Sequence, residues 1–251
     1  MLALPMTPMT AHLLQPADYA VLDLETGDAP PSEVGAAISA WNPPKNWKPE
    51  TVEAKRAERA EALNGKAALL DASPILCVAL KTDRMAVVLS GMDASSPEIP
   101  GGLCLPCGDE KGLLVALRSV LEATTTPDTI LVGHNLLGFD LPKLRNAYLR
   151  HRLFLPAVLR PLDGAGRQPV FDSMREIRYF SMENSDERFI SLETVARVLG
   201  IPLPKQVISG AEVPRLHREG EYAAILVYCA LDVATTERAF LLMTGEAADL
   251  E

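Results

Sequence analysis

Asp23 and Glu25 stand two residues apart at the end of an apolar run, Tyr19-Ala20-Val21-Leu22. In a strand, side chains at that spacing share one face and lie about 7 Å apart along the chain. Two carboxylates so placed repel each other and lose hydration, a cost that a bound cation relieves. Further acids stand at the ends of other core segments. Asp140 opens a helical pattern after "LVGHNLLG", and Tyr228 and Asp232, four residues apart, share a face of the last helical pattern. Brought into one pocket, these residues amount to four carboxylates and a phenol, a set that needs compensating cations. All-oxygen donors favour Mg²⁺ or Mn²⁺ over Zn²⁺, which prefers His and Cys. Two such ions about 4 Å apart stabilise both the attacking and the leaving oxygen of a phosphoryl displacement.

The elements that must position these residues follow from periodicity. The run Tyr19-Ala20-Val21-Leu22, ending in Asp23-Leu24-Glu25, reads as a buried strand. "PILCVALKT" (74–82) and "MAVVLSG" (85–91) read as a hairpin joined at Asp83-Arg84. A loop, "MDASSPEIPGGLCLPCGDEKG", leads to a helix through Leu113, Leu114, Leu117, Val120 and Leu121. "DTILVGHN" (128–135) reads as a short buried strand. A helix over 139–152 begins at or near Asp140, with Pro142 in its first turn, and "PVFDSM" (169–174) reads as the last strand. Helices over 191–200 and 221–243 close the chain. The order predicts a mixed α/β sheet, antiparallel at one side and parallel at the other, with helices on both faces. One domain is expected over 1–251. A segment at about 30–73 reads as an insertion: a proline-dotted stretch, then an exposed helix from Pro49 to a stop at Gly65.

Asp-x-Glu, Asn-x3-Phe-Asp and Tyr-x3-Asp, in that order, strongly resemble the three motifs of the DEDD 3′–5′ exonuclease superfamily, which has the RNase H-like fold. Tyr in the third motif marks the DEDDy branch. "GHNLLGFDLPKL" looks most like the proofreading exonuclease domain of family-B DNA polymerases. The resemblance runs over roughly residues 18–240, matches 30–73 poorly, and leaves no room for polymerase palm or fingers, which implies a free-standing enzyme. It implies that Asp23, Glu25 and Asp232 hold one metal ion, that Asp23 bridges to a second, and that Asp140 acts on the second through water. Tyr228 would orient the attacking water, and the product would be a nucleoside 5′-monophosphate. Asn135 and Phe139 match positions that contact the terminal nucleotides, Phe139 by stacking, and Thr26 matches a position that touches the last one. Asp172 in "VFDSM" matches a place where an acid often supports the site, whereas His134 reads as structural.

Composition constrains the alternatives. Hydrophobic residues at 48% and charged residues at 23% describe a soluble globular chain able to bury a large core. No apolar run approaches the roughly 18 residues that span a bilayer. The N-terminus lacks the basic start and cleavage site of a signal peptide, and four irregularly spaced cysteines fit reduced thiols, so a cytoplasmic protein is expected. Cys104-Leu105-Pro106-Cys107 lacks the further ligands that zinc requires and reads as surface loop. The net charge of −9 disfavours a simple nucleic-acid coat protein. Between Lys143 and Arg178, however, eight Lys/Arg face three acids, a local excess that can follow a phosphate backbone. Trp41 and Trp47 both fall in the insertion. They read either as anchors to the core or as a lid stacking on single-stranded substrate. The leading expectation is a two-metal 3′–5′ exonuclease acting on single-stranded or frayed DNA. An exoribonuclease trimming RNA 3′ ends is the alternative within the same chemistry. A non-catalytic nucleic-acid-binding or scaffold subunit would tolerate loss of a carboxylate, and an RNase H-like endonuclease would lack the Tyr-x3-Asp helix.

Overall fold

β1 (Tyr19–Thr26) is apolar on both faces over most of its length, which suits a strand covered from two sides. Its even residues Ala20, Leu22 and Leu24 join one core cluster, and Val21 and Tyr19 join another on the opposite face. The computed structural model describes residues 16–64, 68, 70–92, 97–99, 101–160, 168–181, 189–203 and 208–246. β1 lies inside a six-stranded sheet with β2 (Ile75–Lys81), β3 (Ala86–Ser90), β4 (Leu103–Pro106), β5 (Ile130–Gly133) and β6 (Val170–Asp172), in the order β4-β3-β2-β1-β5-β6. β1–β2 and β2–β3 are antiparallel, whereas β1–β5, β5–β6 and β3–β4 are parallel. This is the mixed α/β sheet of the RNase H-like expectation.

Helices cover both faces. On one side α3 (Glu110–Thr124) and α4 (Asp140–Arg150) bury Leu113, Leu117, Leu121, Leu141 and Leu144. The fully buried Tyr148 joins these two helices, its hydroxyl donating to the Leu114 carbonyl at 2.7 Å. On the other side the long α8 (Tyr222–Thr244) crosses β1, β2, β3 and β5. It sets Ile225, Leu226, Cys229, Val233 and Phe240 into the second cluster, with Phe240 5.2 Å from the Tyr19 ring and 5.0 Å from Phe171. α5 (Ser173–Glu176) and α6 (Leu192–Leu199) pack a smaller cluster against Ala239. No helix among the described residues is long and apolar enough to cross a membrane.

Four elements depart from the expected ones. The stretch read as the last strand, 169–174, gives way to α5 at Ser173, where Asp172 caps the helix by accepting from the Met174 N–H. The proline-dotted stretch contains α1 (Pro31–Ser39), which starts on Pro31 and buries Val34 against Ile38, Leu63, Leu70 and Ala72. Its proline and glycine content masks a single apolar turn that only packing reveals. The segment read as loop around Cys104 forms β4, a four-residue edge strand parallel to β3 and ending in Pro106, too short to show alternation. α7 (Val213–Glu219) follows a Ser209/Glu212 capping box, a signal present in the sequence that the periodicity reading passed over. α2 (Pro49–Asn64) is mostly exposed as expected, with Leu63 turned toward Val34, while its predicted stop, Gly65, lies outside the described residues. Trp41 and Trp47 meet edge to face at 6.2 Å, between α1 and α2.

Candidate active site

The odd face of β1 changes character where it runs past the core. Tyr19 and Val21 lie under α8, and the next two residues on that face are Asp23 and Glu25. β2 supplies their cross-strand neighbours, Ala79 opposite Asp23 and Cys77 opposite Glu25. A register irregularity between Glu25 and Thr26 ends the regular pairing directly beyond the acids. Bulges of this kind re-aim side chains at strand ends.

α8 then brings Tyr228 and Asp232 over the same place. Carboxylate oxygens of Asp23, Glu25 and Asp232 can all lie within 4.8 Å of one another. Tyr228 hydrogen-bonds to Asp232. Behind them the thiol of Cys229 donates to Asp23 Oδ2 at 3.5 Å and also meets Cys77. Asp140 is 2% exposed at the start of α4 and stands outside that three-acid group, yet its charge is felt by Asp23 and Glu25. Its Oδ1 is buried without a hydrogen-bond donor. Thus three of the four carboxylates converge tightly, and the fourth approaches from the opposite helical layer.

Burial, followed by mutual repulsion, pushes Asp23, Glu25 and Asp140 well above the ordinary carboxylate range. Burial, then the charges of Asp232 and Glu25, raises the Tyr228 phenol far above its ordinary value. Among the described residues no Lys or Arg forms an ion pair with Asp23, Glu25 or Asp140. A cluster of carboxylate oxygens, with Asp140 Oδ1 lacking any hydrogen-bond donor, fits hard divalent cations. Asp23, Tyr228 and Asp232 open into a cleft of about 440 Å³ that is also lined by His134, Phe189 and the Ser209-Gly210-Ala211 turn. Phe189 carried no motif signal, the turn carried only the Ser209/Glu212 capping box, and both enter the site through tertiary folding.

The remaining predicted site residues divide. Asn135 adopts a left-handed backbone, φ 57°, which Asn tolerates better than most residues. Its N–H donates to Asp172 Oδ1 at 2.9 Å, and the Leu137 N–H donates to Asp172 Oδ2 at 3.0 Å. Asp172 is 2% exposed and also accepts from the Met174 N–H at 3.2 Å, so it shapes the loop that carries Asn135. A side chain at Gly138 would meet the Asn135 amide oxygen, so Asn135 would have to turn from its present rotamer. Phe139 packs partly against the first core cluster, just before Asp140. Thr26 is 6% exposed and its hydroxyl donates to the Ala68 carbonyl at 2.9 Å, which ties the end of β1 to the 30–73 segment. His134 lines the cleft, its Nδ1 2.9 Å from Ser173 Oγ, and burial holds its pKa below the usual imidazole value.

The basic segment also separates. Lys143 is 4% exposed and donates to the Leu70 carbonyl and Ser73 hydroxyl. Arg145 donates to the Leu159 carbonyl at 2.6 Å, and Arg150 holds Glu110 and the Asp71 carbonyl. These three cations join elements of the fold. Arg175 and Arg178 instead line a groove beside Asn135, and Arg167 lies outside the described residues.

Among curated proteins, none matches the chain. A family described as "Predicted 3'-5' exonuclease related to the exonuclease domain of PolB" matches residues 106–251, a span that holds Asp140, Tyr228 and Asp232, with Asp23 and Glu25 preceding it. Matched over more than half its length, the chain belongs to this family of predicted 3′–5′ exonucleases related to the PolB exonuclease domain.

Proposed function

We propose that the protein hydrolyses the terminal phosphodiester at the 3′ end of single-stranded or frayed DNA, releasing nucleoside 5′-monophosphates, with Asp23, Glu25, Asp140, Tyr228 and Asp232 as its catalytic set. The observation that carries this reading is the convergence of Asp23, Glu25 and Asp232 within 4.8 Å at the mouth of a cleft, with Tyr228 bonded to Asp232. The four carboxylates would hold two Mg²⁺ or Mn²⁺ ions, which when bound supply positive charge for the attacking and leaving oxygens and lower the pKa of the attacking water.

The chain's own groups perform the rest. Tyr228, kept protonated by burial and by its acidic neighbours, remains a donor that orients water or a phosphate oxygen. Asn135 and Phe139, on the loop shaped by Asp172, would hold the terminal nucleotides, with Thr26 close to the last one. The DNA assignment follows the PolB relationship of the family. We read residues 1–251 as one domain in which 30–73 is an insertion. Lys143 and Thr26 bind its C-terminal end to the catalytic layers.

The test uses 5′-labelled single-stranded DNA and RNA with Mg²⁺ or Mn²⁺, then with chelator. A ladder shortening from the 3′ end and lost on chelation is expected, with DNA the faster substrate. No shortening with either ion refutes the reading, and faster RNA shortening reverses the substrate assignment.

A further inference from the structure

Two strongly exposed aromatic rings stand beside the acidic cleft. Phe189, 66% exposed, lines the cleft itself. Tyr179, 83% exposed, lines a second groove of about 810 Å³ with Asn135, Gly138, Arg175 and Arg178. The two depressions share one wall: His134 faces the first and its chain neighbour Asn135 faces the second, with Ser173 bonded to His134. The two depressions therefore adjoin at residues 134–135.

We propose that this second groove, together with Phe189, binds the single-stranded DNA lying 5′ of the scissile phosphate, an inference that rests on the exonuclease reading above. Phe189 and Tyr179 are the stacking platforms, and Arg175 and Arg178 contact backbone phosphates. Charge supports this occupant. Arg175 and Arg178 line the groove together with Glu176, whereas the adjoining cleft is acidic and would repel an uncompensated polyanion. Arg175 is 56% exposed, its Nε 3.9 Å from Asp172 Oδ2, so the guanidinium keeps a face toward solvent. Flat rings and guanidinium groups together bind any base sequence, as a degrading enzyme requires.

The experiment measures binding of a 5′-fluorescein oligothymidylate to the full chain by anisotropy in EDTA, where no turnover occurs. Tyr179→Ala and Phe189→Ala should each weaken binding by between about fivefold and a hundredfold, the range for loss of one stacked base. Arg175→Ala should lower the slope of log Kd against log salt by about 0.7. Phe154→Ala, equally exposed but paired with Arg118 outside both depressions, should change nothing. Binding within twofold of wild type for both aromatic variants overturns the proposal, as does an equal loss from Phe154→Ala or no binding by the wild-type chain. Tighter binding of oligouridylate overturns the assignment to DNA.

Hydrolysis of the p-nitrophenyl ester of thymidine 5′-monophosphate by the wild type, with Mg²⁺ or Mn²⁺, separates this inference from the one beneath it. No ester hydrolysis with aromatic-dependent strand binding refutes the exonuclease and keeps the groove. Hydrolysis with unaffected strand binding refutes the groove alone.

Discussion

Replacing Asp140 with Asn should make the metal-free protein more stable while removing its activity. Asp140 is 2% exposed, and its Oδ1 has no hydrogen-bond donor. Burial of its charge, then repulsion from Asp23, holds its carboxyl well above the ordinary carboxylate range, at about 1.4 kcal/mol per pH unit, and a neutral amide carries neither cost. Opposing it, a carboxylate in the first turn of α4 gains about 0.3–1 kcal/mol from the helix dipole. Burial and repulsion exceed the dipole, so Asp140→Asn should stabilise the metal-free protein by about 1–2 kcal/mol. In a chain of this size that raises Tm by roughly 2–8 °C. Divalent ions should act oppositely on the two proteins. Mg²⁺ at ten times its Kd stabilises the wild type by about 1.4 kcal/mol, and the variant should gain less. Calorimetry in EDTA and then in Mg²⁺, beside the 3′-end ladder assay, reads all three effects. A metal-free variant that melts below the wild type would mean that Asp140 is a structural cap. An equal gain from Mg²⁺ would mean that Asp140 takes no part in metal binding.

Tyr228→Phe should leave the Mg²⁺-induced rise in Tm intact and slow hydrolysis by about ten- to a hundredfold, the value of one hydrogen bond to a charged group; an unchanged rate would remove Tyr228 from the mechanism. Asp172→Ala strands the N–H groups of Asn135, Leu137 and Met174, and should cost about 2–5 kcal/mol in urea unfolding whether or not metal is present. An unchanged midpoint would show that the loop does not depend on this acid. Lys143, lowered to about 8 by burial and then by Arg150, makes stability depend on alkaline pH. Its folded pKa lies below the unfolded value of 10.5, so its contribution is complete above the unfolded pKa and is lost as pH falls through about 8. Wild-type stability should therefore rise from pH 8 toward 10 relative to Lys143→Met, by at most about 1.4 kcal/mol per pH unit; parallel curves would refute the shift.

Much of the frame was legible because it follows local periodicity. β1, the β2–β3 hairpin, α3 and α8 have apolar spacing that matches their packing, and Pro49 and Pro142 mark the first turns of their helices. β4 escaped because four residues at an edge carry no period, and α1 escaped because its packing against Leu63 and Leu70 is long-range. The basic segment misled for a similar reason. Charge can be counted along a chain, but burial cannot, and Lys143, Arg145 and Arg150 proved to be links between elements.

The sequence by itself determined the candidate chemistry. Strand alternation put Asp23 and Glu25 on one face, and helical spacing put Tyr228 on the same face as Asp232, since both periods are properties of the backbone. Only the tertiary structure decided how those pairs meet. The crossing of α8 over β1 draws Asp232 to the strand acids and leaves Asp140 arriving from the opposite layer. The folding of residues 134–138 around Asp172 sets Asn135 beside a groove that residues 174–179 complete. Those distances depend on packing between segments far apart in the chain, which no local period encodes.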